Sequence, residues 1–129
     1  MTRRARTRDE NGQTMVEFAM ILPVLLVVLL GIFQFGVTFK DYIALTDAVR
    51  AGARTAAVSR TSATPVADTT ARVKSATDLS GSKVSVVVTS TWIHGDDVVV
   101  TAKYPYSINL LGVVVASGNL TSSTTERVE

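Results

Sequence analysis

The chain opens into a long apolar run that grades into an amphipathic one, and its second half alternates. From Phe18 to Phe33 the segment FAMILPVLLVVLLGIF carries no charge, and extending it to Phe39 adds only Gln34 and Thr38 as polar positions. About 22 such residues at ~1.5 Å each match ~30 Å of hydrocarbon, so the pattern predicts a membrane-spanning helix. Lys40 and Asp41 mark its far boundary. The run is longer than the ~7–15 apolar residues of an ordinary secretory signal, and no small-residue cleavage site follows it, which favours a retained anchor. Beyond it, Tyr42, Ile43, Leu45, Val49, Ala53 and Ala56 recur mostly at three- and four-residue spacing. That spacing predicts one helix from Gln13 to Ser59, with an apolar stripe on its upper half.

Thr64-Pro65 reads as a cap followed by proline at the first helical position, opening a short second helix over 65–79. Val66, Thr70, Val73 and Ala76 form its expected inner face, and Ser80-Gly81 its stop. The period then changes to two. Val84, Val86, Val88 and Trp92 share one strand face, and Val98, Val100, Ala102, Tyr104 and Tyr106 share another. His94-Gly95-Asp96 between them is turn chemistry, so the pair predicts a hairpin. INLLGVVVAS reads as an apolar loop, and 119–128 as a last strand rich in Thr and Ser. The expected fold is α+β: a membrane-spanning helix continuing into an amphipathic one, a short second helix, and about three antiparallel strands packed on the long helix. The division is a leader over 1–12, a span over 13–39 and an outer domain over 40–129.

Composition and charge sharpen this picture. The chain is 47% hydrophobic and 19% charged, which is apolar for a small soluble domain. It has no cysteine, so disulfide, thiolate-metal and thiol-redox chemistry are excluded. Of the 13 basic residues, Arg3, Arg4, Arg6 and Arg8 precede residue 12. The other nine are scattered among acids, giving no basic patch for nucleic acid. Arginines before the span predict a cytoplasmic N-terminus and an outer domain on the far side of the membrane.

One charge breaks the pattern. In NGQTMVEF, Asn11 to Phe18, Glu17 stands at the very start of the apolar run. Basic residues come first, then Gly12, four residues, Glu17-Phe18 and the span. This layout resembles the type IV prepilin signature. With QTMVEFAMILPVLLVVLLGIFQFG, the downstream AVRAGARTAA and the terminal ERVE, the chain resembles the TadE family, pilin-like proteins of tight-adherence (Tad/Flp) pilus systems. The resemblance covers about residues 12–57; the later strands fit the family outline less specifically.

The resemblance implies a non-catalytic minor pilin, cut by a prepilin peptidase between Gly12 and Gln13 and held in the bacterial cytoplasmic membrane before assembly. It also implies partners: the peptidase, other pilin subunits and the Tad secretion platform, besides membrane lipid. Glu17, Phe18 and Pro23 become the positions for helix pairing in an assembly, and Arg50, Gly52 and Arg54 become candidate subunit contacts. Two rival readings stay open: a major filament pilin, and an uncleaved single-span anchor for a binding domain. Pro23 and the span's glycines also suit ordinary membrane-helix composition.

Chemistry of other kinds finds little support. His94 is the only histidine, and with Asp96 and Asp97 it falls short of the converging ligands that zinc or calcium needs. No nucleophile elbow or phosphate-binding glycine loop is present, so no catalytic residue, metal or cofactor is expected. Asn119-Leu120-Thr121 matches a glycosylation sequon in a Thr-rich context that generates such matches easily.

Overall fold

The computed structural model describes residues 7–129. Helix α1 runs unbroken over Thr7–Val58. No proline precedes Gln13, and the Asn11-Gly12 pair does not interrupt the helix, which begins six residues before Gln13. Of the expected leader, Thr7–Gly12 is helical, and residues 1–6 lie outside the described residues. Pro23 sits inside α1 without ending it. The proline has no N–H for the Ala19 carbonyl, a loss that membrane helices tolerate.

The apolar stripe on the upper half of α1 becomes the core. Leu45, Ala48, Val49, Ala53 and Ala56 are fully buried, at helical spacing. The stripe starts at Leu45 rather than Tyr42, because Tyr42 and Ile43 turn outward. Helix α2, Pro65–Ser75, crosses this stripe and buries Thr69 and Val73. Val66 is exposed, in contrast to the expected inner face. The one-turn spacing of Thr69 and Val73, with Ala76 packed beside them, sets the buried face instead. Thr69 tolerates burial because its hydroxyl donates to the Pro65 carbonyl at 2.8 Å. The helix stops at Ala76, whose N–H closes onto the Arg72 and Val73 carbonyls, so Ser80-Gly81 lies beyond its end. Thr64 caps α2 indirectly. Its carbonyl accepts from the Asp68 N–H, and its hydroxyl and that of Ser62 both donate to the Asp68 carboxylate.

Strands β1 (Ser85–Ser90), β2 (Asp97–Leu110) and β3 (Val113–Arg127) form an antiparallel sheet in that order. The inner face carries Val98, Val100 and Ala102 of β2, with Val84 and Val128 at its margins. Two backbone hydrogen bonds fasten the sheet top. Gly95 N–H donates to the Val128 carbonyl at 2.9 Å and Val128 N–H to the Asp96 carbonyl at 2.8 Å. The chain end meets α1 there, where the Glu129 N–H donates to the Ala57 carbonyl at 2.9 Å. Strand β2 therefore starts beside the C-terminal end of α1 and runs back toward the apolar half of the helix.

One part of the sheet departs from the sequence reading. INLLGVVVAS is not a loop. Strand β2 continues to Leu110, β3 starts at Val113, and Leu110 pairs with Val113 across a two-residue turn. Strand β1 pairs only with Val98–Lys103, so from Tyr104 onward β2 and β3 form a two-stranded ribbon. A register shift between Ile108 and Asn109 marks a bulge near its tip. Leu111 (φ 52°) and Gly112 (φ 87°) are both left-handed, as tight two-residue hairpins of mirror-image type require.

Candidate functional site

The N-terminal part of α1 has no cover. Its side chains from Gly12 to Leu29 are all exposed, including Phe18 at 62%. Phe35 and Phe39 stack on each other one turn apart, with ring centres 6.3 Å apart. This stretch is long and apolar enough to cross a membrane. The two polar side chains in its upper reach are half-buried, and Thr38 donates its hydroxyl to the Gln34 carbonyl at 3.0 Å. That bond spares lipid an unpaired hydroxyl.

Within this surface, Glu17 has a local partner. Gln13 Nε2 donates to Glu17 Oε1 at 3.0 Å, four residues along the helix. Positions i and i+4 face each other on a helix, so the geometry follows from the spacing alone. Pro23 lies further along the same bare segment.

Gly12, like Gly31 and Gly36 further along α1, is a glycine that the packing of the subunit does not require; its distinction is its place five residues before Glu17. Gly12 is helical, and a Cβ built there meets nothing within 4 Å. Glycine in a helix interior costs ~1 kcal/mol relative to alanine. Four glycines outside the bare stretch do have internal reasons. Gly95 and Gly112 have positive φ, and Gly118 lies beneath the Tyr106 ring, 3.2 Å from the position of its absent Cβ.

Gly52 also has an internal reason. A Cβ there would collide with Val73 Cγ2, with the Thr69 carbonyl also close. Its close approach is thus to α2 of its own chain. Arg50 and Arg54 remain on the surface. Arg50 pairs with Asp47 at 3.6 Å, both side chains well exposed, a pair of the kind worth ~0–1 kcal/mol. Arg54 lines an open recess at the top of the sheet, together with Ala57, His94, Glu126, Arg127 and Glu129.

His94, Asp96 and Asp97 serve the hairpin connection. Thr91 Oγ1 donates to Asp96 Oδ2 at 2.6 Å, and Arg127 Nε donates to the Gly95 carbonyl at 2.7 Å. Among the described residues no three His, Asp or Glu side chains converge as metal ligands. The sequence reading did not find the ribbon tip as a feature. Leu111, Val113, Val114 and Val115 are all more than half exposed there.

No curated protein and no solved structure matches the chain. A family model does match: residues 12–54 fit the model for TadE-like protein. The matched segment starts at Gly12, takes in Glu17 and the whole bare apolar stretch, and ends at Arg54 within the core-forming half of α1. Helix α2 and the sheet lie outside it. The resemblance to the TadE-like family is thus borne out over residues 12–54, the segment that carries both the prepilin-like start and the membrane-length helix.

Proposed function

We propose that the protein is a membrane-anchored, pilin-like subunit of a Tad pilus, made as a prepilin and cut between Gly12 and Gln13. The observation that carries this reading is the conjunction at the start of the family match: a helical glycine with no role inside the subunit, five residues before a carboxylate at the mouth of a bare apolar helix. The subunit's own packing does not call for glycine at position 12, whereas a peptidase that must draw the backbone close does.

Scission requires the helical Gly12–Gln13 link to open. This bond lies in the second turn of α1, so opening it unwinds only the short segment that begins at Thr7. The cut removes every leader arginine and leaves a new α-amine on Gln13. That amine lies about one turn from Glu17, whose carboxylate already accepts from the Gln13 side chain. A carboxylate left unpaired in hydrocarbon costs ~2.5–3.5 kcal/mol at the bilayer centre and less near the surface. Pairing with the amine of its own or a neighbouring subunit removes that cost and fixes the axial register of adjacent helices.

The exposed apolar surface of α1, with Phe18 and Pro23, then exchanges lipid for neighbouring helices as subunits assemble. In this reading the arginine-rich leader faces the cytoplasm and the sheet lies across the membrane. The peptidase, other pilins and the Tad platform are its partners. Its part is structural, as a minor component of pilus assembly. Arg50 and Arg54, exposed on the upper half of α1, remain available to a neighbouring subunit. Gly52 is spent on α2.

Coexpression with a prepilin peptidase tests the reading. Wild type should shorten by the mass of residues 1–12, and Gly12→Val should remain full length. A wild-type chain that stays intact beside a control prepilin that is cut would refute it, and would favour the uncleaved single-span anchor.

A further inference from the structure

The β2–β3 ribbon ends in an apolar tip that the subunit leaves bare. From Tyr104 to Thr125 the chain has no charged residue, and Leu110 to Ala116 is apolar throughout. Leu111 is 70% exposed, and Val113, Val114 and Val115 are each more than half exposed. The turn makes this composition more notable. A two-residue hairpin with positive φ at both central positions favours Asn-Gly or Asp-Gly, yet Leu111 occupies the first. Leucine in the left-handed region costs ~1–2 kcal/mol. A local rule broken at an exposed position marks a place where something other than folding selects the residue.

The topology says what lies beside the tip. Fully buried Val98, Val100 and Ala102 of β2 share one core with the buried stripe Leu45, Ala48, Val49, Ala53 and Ala56 of α1, and β2 starts beside Ala57, so it runs toward the apolar half of the helix. From Ala102, eight more residues to Leu110 extend about 26 Å at ~3.3 Å each. With Ala102, the last fully buried residue of β2, taken as level with Leu45–Val49 at the lower end of the buried stripe, only about 9–15 Å of descent along α1 reaches Phe39. A substantial tilt of the ribbon still leaves the tip at the Lys40 boundary or below it. The half-buried positions Gln34, Thr38, Asp41 and Ala44 continue the covered stripe of α1 down through the same level. Tyr104 and Tyr106 stand just above the apolar tip, half-buried, an arrangement suited to a membrane–water interface.

We infer that the ribbon tip, Leu110 to Val115, seats in the headgroup–acyl boundary of the membrane that α1 crosses, giving the subunit a second lipid contact. This rests on the membrane-anchored reading of α1. The contact is shallow, because the turn at Leu111-Gly112 has backbone groups that hydrocarbon cannot satisfy. Interfacial segments bury their apolar face by ~5–10 Å, which suits a tip of this size. Held at two points, the outer domain is fixed in height and rotation over the bilayer. Leaving lipid for a filament then requires the tip to be withdrawn as well as the helix.

The absence of cysteine allows single labels without background. The full chain would be reconstituted in phosphatidylethanolamine–phosphatidylglycerol vesicles, with an environment-sensitive fluorophore at Leu111→Cys, Val114→Cys, Thr89→Cys or Val28→Cys. Labels at 111 and 114 should be blue-shifted and quenched several-fold more by headgroup-proximal nitroxide lipids than the label at 89. The label at 89 should be open to aqueous iodide. In a Val114→Cys chain that also carries Leu111→Asn, which suits the turn, lipid quenching at 114 should fall several-fold. Iodide quenching at 111 equal to that at 89 overturns the inference. So does shielding at 111 that appears only at high protein-to-lipid ratio, which would seat the tip on a second copy. A label at 28 that reads as aqueous would overturn the anchor itself and the tip contact with it; a buried 28 beside an aqueous 111 overturns the tip contact alone.

Discussion

Gln13 Nε2 donates to Glu17 Oε1 at 3.0 Å across one turn of α1, so the carboxylate at the mouth of the apolar helix is engaged before any subunit meets another. In the proposed mature chain Gln13 is the first residue, and it then offers Glu17 both its amide and its amine. The same two positions would then hold the carboxylate before and after that cut.

Glu17→Ala should separate folding from assembly. The residue lies far from the core formed by α1, α2 and the sheet, so the thermal midpoint of the outer domain should be unchanged by circular dichroism. Subunit crosslinking in membranes should fall, by about tenfold if the pair contributes ~1.4 kcal/mol. Unchanged crosslinking would return Glu17 to the role of a headgroup-facing side chain.

Gly52→Ala should destabilise the outer domain. The new methyl collides with Val73 Cγ2, and overpacking of this kind costs about 1–3 kcal/mol. Val73→Ala alone leaves a cavity, but combined with Gly52→Ala it should recover part of the loss. Denaturant unfolding of the four variants reads this coupling directly.

Arg127→Ala should loosen the hairpin connection over residues 91–96 while leaving the core in place. It removes the 2.7 Å bond from Arg127 Nε to the Gly95 carbonyl, an exposed contact worth roughly 0.5–1.5 kcal/mol. Amide exchange should speed up at Gly95 and Asp96 and stay slow at Val98 and Val100. The Gly95–Val128 and Val128–Asp96 backbone bonds keep the segment from detaching.

Gly112→Ala should weaken the ribbon tip, since φ is 87° there and a Cβ in that region costs ~1–2 kcal/mol. Leu111→Asn should do the opposite in detergent, where turn preference alone decides. Exchange of the amides at Leu110 and Val113 would report both changes.

Much of this architecture was legible because its signals were periodic. The stripe Leu45, Val49, Ala53, Ala56 and the alternation Val98, Val100, Ala102 each specify one buried face, and both faces meet in the core. The start of the family match was legible for a different reason, a fixed spacing from Gly12 to Glu17. The ribbon was not legible. INLLGVVVAS is apolar on both faces, so it shows no alternation, and Leu111-Gly112 lacks the usual turn residues. The inner face of α2 was misplaced because Thr69, a polar residue, is buried through its bond to the Pro65 carbonyl, while the apolar Val66 is not. The internal use of Gly52 depends on where α2 crosses α1, which spacing along one helix does not reveal.

Whether the chain is cut and assembled is read from its N-terminal peptide, in membranes and in pili sheared from the native cell. A pilin-like subunit cut as proposed gives a chain beginning at Gln13 in both fractions, detectable by mass spectrometry. A chain found only in membranes, with the Gly12–Gln13 bond intact, would instead be an uncleaved anchor and not a pilin-like subunit.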